Sequence, residues 1–201
     1  MDSKLVFLDF ETGGLNYRLE NGKLGCEYYP ILEVAIIVTD SELMQIGEPL
    51  VIAIFQNNDE IEKCHEWALK KHEETGLLQR VTESGVTLDQ AEDQIIKYLG
   101  GLGVGKYDRK TKCGGILAGS SIHFDRSFMF AQMGNLNKYL HYRQLDVSAL
   151  AMAARMFNPK AEKIAIQHKE MKHEALSDIR ETIAELKFYK ENIFNVDFEE
   201  L

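Results

Sequence analysis

Four carboxylates in this chain sit where neither an ordinary core nor an ordinary surface has much use for them. Asp9 and Glu11 lie two apart at the end of the apolar run Leu5-Val6-Phe7-Leu8, and residues two apart on a strand point to the same face. Two close carboxylates on a half-buried face repel and desolvate each other unless a cation is present. Hard divalent ions such as Mg²⁺ or Mn²⁺ take oxygen ligands and often keep open positions for a substrate phosphate. Asp125 opens a mid-chain helical pattern, and Asp178 lies in the first half of the last one, five residues after His173. Taken singly, Asp125 reads as a helix N-cap, Asp178 as a solvated helix face and His173 as a helix-start residue. The ordered set is what suggests a site. A five-residue offset on a helix is about 140° of rotation, so His173 and Asp178 cannot share a helical face. His173 must then sit in the preceding loop or first turn, leaning over a metal site that Asp178 enters from the helix.

Strands and helices must bring these residues together. Leu5–Leu8, Ile31–Val38 and Pro49–Phe55 are rich in strand formers and are joined by turn signals, which predicts an antiparallel meander. Ile116–Ala118 and Tyr142–Val147 are a fourth and a fifth strand. Apolar spacing predicts helices over Glu60–Lys71, Thr87–Leu99, Asp125–Met133, Ser148–Met156 and Glu174–Tyr189. Asn16–Pro30 reads as a polar loop. Gly100–Gly115, with six glycines and four Lys or Arg, reads as a flexible solvated loop. The expected architecture is α/β: a mixed five-stranded sheet flanked by helices, in one domain over residues 1–201 with a frayed tail at 195–201.

Composition narrows the function classes. A chain of 201 residues, 45% hydrophobic and 27% charged, reads as an ordinary soluble globular protein. Its 23 Lys plus Arg against 32 Asp plus Glu give a net charge of −9. That argues against a broad phosphate-tracking surface, though not against an enzyme that holds a few nucleotides through metal ions. Cys26, Cys64 and Cys113 are scattered and odd in number, which speaks against a disulfide framework or a zinc ribbon. With no apolar run near 18 residues and no signal-peptide layout, a cytoplasmic protein without membrane contact is expected.

The stretches Leu5–Leu15 (LVFLDFETGGL), Leu117–Phe128 (LAGSSIHFDRSF) and His173–Phe194 (HEALSDIRETIAELKFYKENIF) resemble the three motifs of the DEDDh 3′–5′ exonucleases, a branch of the ribonuclease H-like fold. Within that group, Trp67–Val81 and His141–Ser148 (HYRQLDVS) are similar to segments of the oligoribonucleases, so the resemblance covers nearly the whole chain. It implies that Asp9, Glu11, Asp125 and Asp178 hold two Mg²⁺ or Mn²⁺ ions and that His173 is the general base. It also implies short RNA oligonucleotides, above all 5′-phosphorylated dinucleotides, as substrates. Leu15 would then wedge between the terminal bases, with Trp67 offering aromatic surface nearby. His72, Ser121 and Ser148 would cap the 5′-phosphate. Tyr142 and Arg143 would complete that cap from the partner subunit of a homodimer. Glu33, His123 and Asp146 read as structural. Thr12-Gly13 stands where the oligoribonucleases usually read Met-Thr, Ser120 replaces a usual Asn, and the 16–30 and glycine-rich loops are longer than the family's. A broader exonuclease on single-stranded DNA or longer RNA is the alternative. A catalytically inactive nucleic-acid-binding module would not need all five catalytic-type residues.

Overall fold

The computed structural model describes residues 4–167 and 174–194. Strands β1 (Leu5–Thr12), β2 (Ile31–Thr39) and β3 (Leu50–Ala53) form an antiparallel meander. Strands β4 (Ile116–Gly119) and β5 (Gln144–Asp146) add parallel on the far side of β1, giving the order β3-β2-β1-β4-β5. This is the mixed five-stranded sheet expected from the sequence. The helices are α1 (Gly25–Tyr28), α2 (Asn58–Ile61), α3 (Glu66–Glu74), α4 (Leu77–Glu83), α5 (Leu88–Gly101), α6 (His123–Gln132), α7 (Gly134–Tyr139), α8 (Val147–Phe157), α9 (Pro159–Ala165) and α10 (Ala175–Tyr189). A π-helical turn, Lys190–Phe194, follows α10. Among the described residues, no helix is long and apolar enough to cross a membrane.

The two-residue period of β1 sorts its side chains between two cores. Val6, Leu8 and Phe10 pack with Ala91, Ile95 and Leu99 of α5 and with Phe128 and Met129 of α6. Phe7 points the other way, into a core with Ile37, Val147, Ile179 and Leu186. Asp9 and Glu11 continue that second face, so the α10 side of the sheet receives their carboxylates. Helix α5 starts where the sequence signals it: Thr87 accepts from Gln90 N–H while the Gln90 side chain accepts from Thr87 N–H.

Several boundaries differ from expectation. β1 runs on through Asp9 and Glu11 to Thr12, because β2 keeps pairing with it through Glu11 opposite Glu33 and, after a register shift, Thr12 opposite Ile31. β3 and β5 are shorter than Pro49–Phe55 and Tyr142–Val147; Asp146 ends β5 by accepting from Ser148 N–H and capping α8. The single helix expected over Glu60–Lys71 is divided between α2 and α3. His65 makes the break: its N–H donates to Gly13 O at 2.7 Å and its ring accepts from Trp67 N–H at 3.2 Å. That bond to the turn after β1 is tertiary and leaves no mark on local periodicity. α1 lies inside the expected 16–30 loop, and α7 adds a helix where none was expected. α9 did carry a signal, with Asn158 capping it and Pro159 in its first turn.

Candidate active site

Parallel pairing of β1 with β4 stops at Phe7 opposite Ala118, and the two strands part. The freed Phe10 N–H donates to Asp125 Oδ1 of α6 at 2.8 Å. Asp125 is therefore in the first turn of α6, three per cent exposed and turned toward β1; the cap position belongs to Ile122. Asp178 approaches from the first turn of α10, half-buried, where the positive end of the helix dipole favours an anion. Three elements thus deliver four carboxylates to the carboxyl end of β1, the place where open α/β sheets bind ligands when neighbouring strands diverge.

The electrostatics agree. Burial, then the charges of Asp178 and Glu33, push the Asp9 carboxyl up to about 7. Burial, then Asp9, Asp178 and Glu33, push Glu11 up to about 8, with Lys71 opposing weakly. Asp125 is raised well above the usual carboxylate range by burial and by Asp9, against the pull of the Phe10 N–H. Glu33, directly across the ladder from Glu11, adds a fifth negative charge, which Arg80 of α4 holds at 2.9 Å. A cavity of 340 Å³ opens here, lined by Glu11, Glu33, Thr75, Arg80 and Leu176. Among the described residues, no three acidic, His or Cys side chains close on one point as a ready-made metal-holding group. Carboxylates that repel one another settle instead on other partners, as Asp125 does on Phe10. The donor set is all oxygen, buried and short of cations, which fits a hard divalent ion.

The remaining predicted residues fall into separate places. His72 of α3 is buried against β1: its Nε2 lies 3.0 Å from Thr12 O and its Nδ1 4.0 Å from Glu11 Oε2. Burial lowers the pKa of its ring. Leu15, in the turn after β1, and Trp67 of α3 are each 59% exposed. Leu15 is positioned by its neighbour Asn16, which donates to Ser127 Oγ of α6 and accepts from Cys26 N–H of α1. Ser121 and Ser148 meet beyond β4 and β5: Ser121 N–H donates to Ser148 Oγ at 2.9 Å and to Asp146 Oδ1 at 3.1 Å. Ser121 takes a left-handed φ of 49° to do so. Tyr142 and Arg143 lie before β5, Tyr142 exposed and Arg143 5.5 Å from its ring centroid. His173 lies outside the described residues.

Residues 6–186 match the exonuclease family. Oligoribonucleases align almost end to end: that of Vibrio vulnificus is 38% identical over 197 residues, 97% of this chain and 98% of the relative. That of Neisseria meningitidis is 37% identical over 190 residues, 94% and 92% of the two chains. The chain belongs to the exonuclease family, on its oligoribonuclease branch. Among solved structures, a zinc-bound complex of E. coli exonuclease I with single-stranded DNA superposes with a TM-score of 0.71, at 20% identity. The exonuclease I of Methylocaldum szegediense gives 0.69, also at 20%. The match covers 97% and 96% of this chain but only 42% and 41% of those chains. The likeness is one of fold, and the ribonuclease H-like exonuclease architecture expected from the motifs is the one observed.

Of the residues that read as structural in the sequence, Glu33 stands beside the carboxylates, whereas Asp146 keeps a structural role. The charge of Glu33 falls on both Asp9 and Glu11. An acid interrupting an otherwise apolar β-branched run was its only signal. Asp146, besides capping α8, anchors Ser121 and lies 3.4 Å from His123.

Proposed function

We propose that this protein is a divalent-metal-dependent 3′–5′ exoribonuclease that reduces short oligoribonucleotides, 5′-phosphorylated dinucleotides above all, to nucleoside 5′-monophosphates. The observation that carries the reading is the convergence of Asp9, Glu11, Asp125 and Asp178 at the parting of β1 and β4, with burial and mutual repulsion pushing the first three toward protonation. Asp9, Glu11, Asp125 and Asp178 would hold two Mg²⁺ or Mn²⁺ ions. Bound there, such ions supply an activated water and charge stabilisation for in-line displacement at phosphorus.

The chain's own groups do the rest. His173 takes the proton of the attacking water; an imidazole suits the role because its ordinary pKa is near working pH. Leu15 separates the terminal bases and Trp67 presents an aromatic face. Ser121 and Ser148 donate toward the 5′-phosphate. His72, expected to cap the 5′-phosphate, braces Glu11 and Thr12 instead, because its ring is buried against them. Tyr142 and Arg143 are too far along the sheet, at the start of β5, to serve the carboxylates of their own chain, so they complete the cap on the partner in a homodimer. No ion-pair partner holds Arg143 among the described residues.

The deciding experiment is single-turnover cleavage of 5′-phosphorylated RNAs of two to seven nucleotides with Mn²⁺. A cap that loses two or three hydrogen bonds to the terminal phosphate, each worth roughly 1.5 kcal/mol or more when charged, should slow longer chains by about 10²–10³-fold. Equal rates across the series, or on single-stranded DNA, would assign a general exonuclease instead.

A further inference from the structure

The segment between α5 and β4 takes no part in the site described above, and it inverts the charge of the molecule. Four of the seven residues from 106 to 112 are cations in a chain of net charge −9. Lys106, Arg109, Lys110 and Lys112 are all exposed, and none of them is ion-paired among the described residues. The lone acid, Asp108, is engaged in the turn, where its Oδ1 accepts from Lys110 N–H at 2.7 Å. Backbone bonds close the turn into a hairpin: Asp108 N–H donates to Cys113 O at 2.9 Å and Lys112 N–H to Asp108 O at 2.7 Å. The cations are therefore presented on a built structure.

Tyr107 fastens this hairpin to an aromatic cluster. Its N–H donates to Tyr139 O at 2.7 Å. Its ring meets His141 edge-on at 4.7 Å and Tyr142 at 5.6 Å, while His141 stacks on Tyr142 at 4.7 Å. Cations beside the exposed ring of Tyr142 and the half-buried ring of Tyr107 match a strand of phosphates with unstacked bases, since lysines neutralise the backbone and aromatic faces take the bases. An acidic peptide would use the charges and leave the rings idle.

We infer that the 106–113 hairpin, together with Tyr107 and the adjoining face of Tyr142, is a binding arm for single-stranded RNA that holds the part of an oligonucleotide too long for the catalytic site. The inference rests on the exonuclease reading. Ile116 N–H bonds Lys4 O, so the hairpin stands at the amino ends of β1 and β4. The five to seven residues from Lys4 to Asp9 and Glu11 put about 16–23 Å of strand between it and these carboxylates of its own chain. A dinucleotide in that site cannot reach it, whereas a longer strand can.

The test compares the wild type with a Lys106→Ala, Arg109→Ala, Lys110→Ala, Lys112→Ala variant and with an Arg109→Glu, Lys110→Glu variant. Fluorescence anisotropy in chelator reads the affinity for a 5′-labelled hexaribonucleotide as salt is varied. Steady-state kinetics with Mn²⁺ read KM and kcat for the hexamer and for a 5′-phosphorylated dinucleotide. Hexamer affinity should fall at least about tenfold near 50 mM salt, and the salt slope should drop by about 0.7 for each phosphate that the variant no longer neutralises. KM for the hexamer should rise in step with unchanged kcat, and the dinucleotide parameters should stay within about twofold. Unchanged hexamer binding in both variants, an equal loss for both substrates, or tighter binding of the wild type to phosphatidylserine vesicles than to the hexamer would overturn the arm. Absence of dinucleotide cleavage by the wild type would instead overturn the exonuclease reading.

Discussion

Asp125 does two jobs, and substitutions can separate them. It accepts from Phe10 N–H where β1 and β4 part, and it contributes negative charge to the carboxylate group. Asp125→Asn keeps an acceptor for that N–H and removes the charge. The metal-free protein should then be at least as stable as wild type, with turnover lowered by about 10³-fold or more. Asp125→Ala leaves a buried N–H without a partner and should cost a further 1–3 kcal/mol, roughly, in denaturant unfolding. Asp9→Ala and Asp178→Ala should lower turnover comparably and leave the fold intact. The raised carboxyls also set a pH dependence. In the unfolded chain Asp9 and Glu11 titrate near 3.8 and 4.5, in the native protein near 7 and 8. Between those values the native state keeps protons that the unfolded state has released, so the free energy of unfolding falls as pH rises. The melting temperature in chelator should therefore decline from pH 5 to pH 8. Millimolar Mn²⁺ should restore it by binding the native state alone. A flat profile in chelator would contradict the buried carboxylate cluster.

At the scale of elements, the site depends on chain segments that bond to, or pack closely on, the backbone of β1 and its following turn. Gly25 opens α1 so close to the Leu15 carbonyl that an added Cβ would overlap it. Gly25→Ala should destabilise the protein by about 1–3 kcal/mol through overpacking. Because Leu15 must move, KM for a dinucleotide should rise more than kcat falls. A Leu15→Ala variant supplies the comparison: it should reproduce the KM effect with little loss in denaturant midpoint. Helix α3 is seated in the same way, through His65 on Gly13 and His72 on Thr12. The register shift between Glu11 and Thr12 lies where α3 meets β1, and such irregularities re-aim the side chains beside them.

At the scale of the molecule, the four clustered carboxylates and the Tyr142–Arg143 pair stand toward opposite ends of one sheet. If Tyr142 and Arg143 cap the partner's substrate, sedimentation should give twice the monomer mass, and Arg143→Ala should weaken dinucleotide binding by about tenfold or more without lowering the melting temperature. Full activity from a monomer would refute the shared cap. The acidic net charge works in the same direction, since a long polyanion gains little from most of this surface and binds where cations are concentrated.

Much of this was legible from residue types and periodicity. The apolar runs of β1, β2 and β4, the stripe Ala91, Ile95 and Leu99 on α5, and the pairing of Asp9 with Glu11 on one strand face follow from local rules, because burial on a sheet or helix imposes a fixed period. The motifs placed Asp125 and Asp178 beside them by resemblance. Tertiary structure alone decided the rest. It extended β1 by pairing with β2, broke the Glu60–Lys71 pattern at a bond between His65 and Gly13, turned Asp125 from a cap into a partner of Phe10, and set Glu33 opposite Glu11. It also joined Tyr107 to Tyr142 across some 35 residues of chain. Each of these brings together residues distant in sequence. Local periodicity records which face of an element is buried; which residue waits on the other side of that face is fixed only when the sheet is assembled.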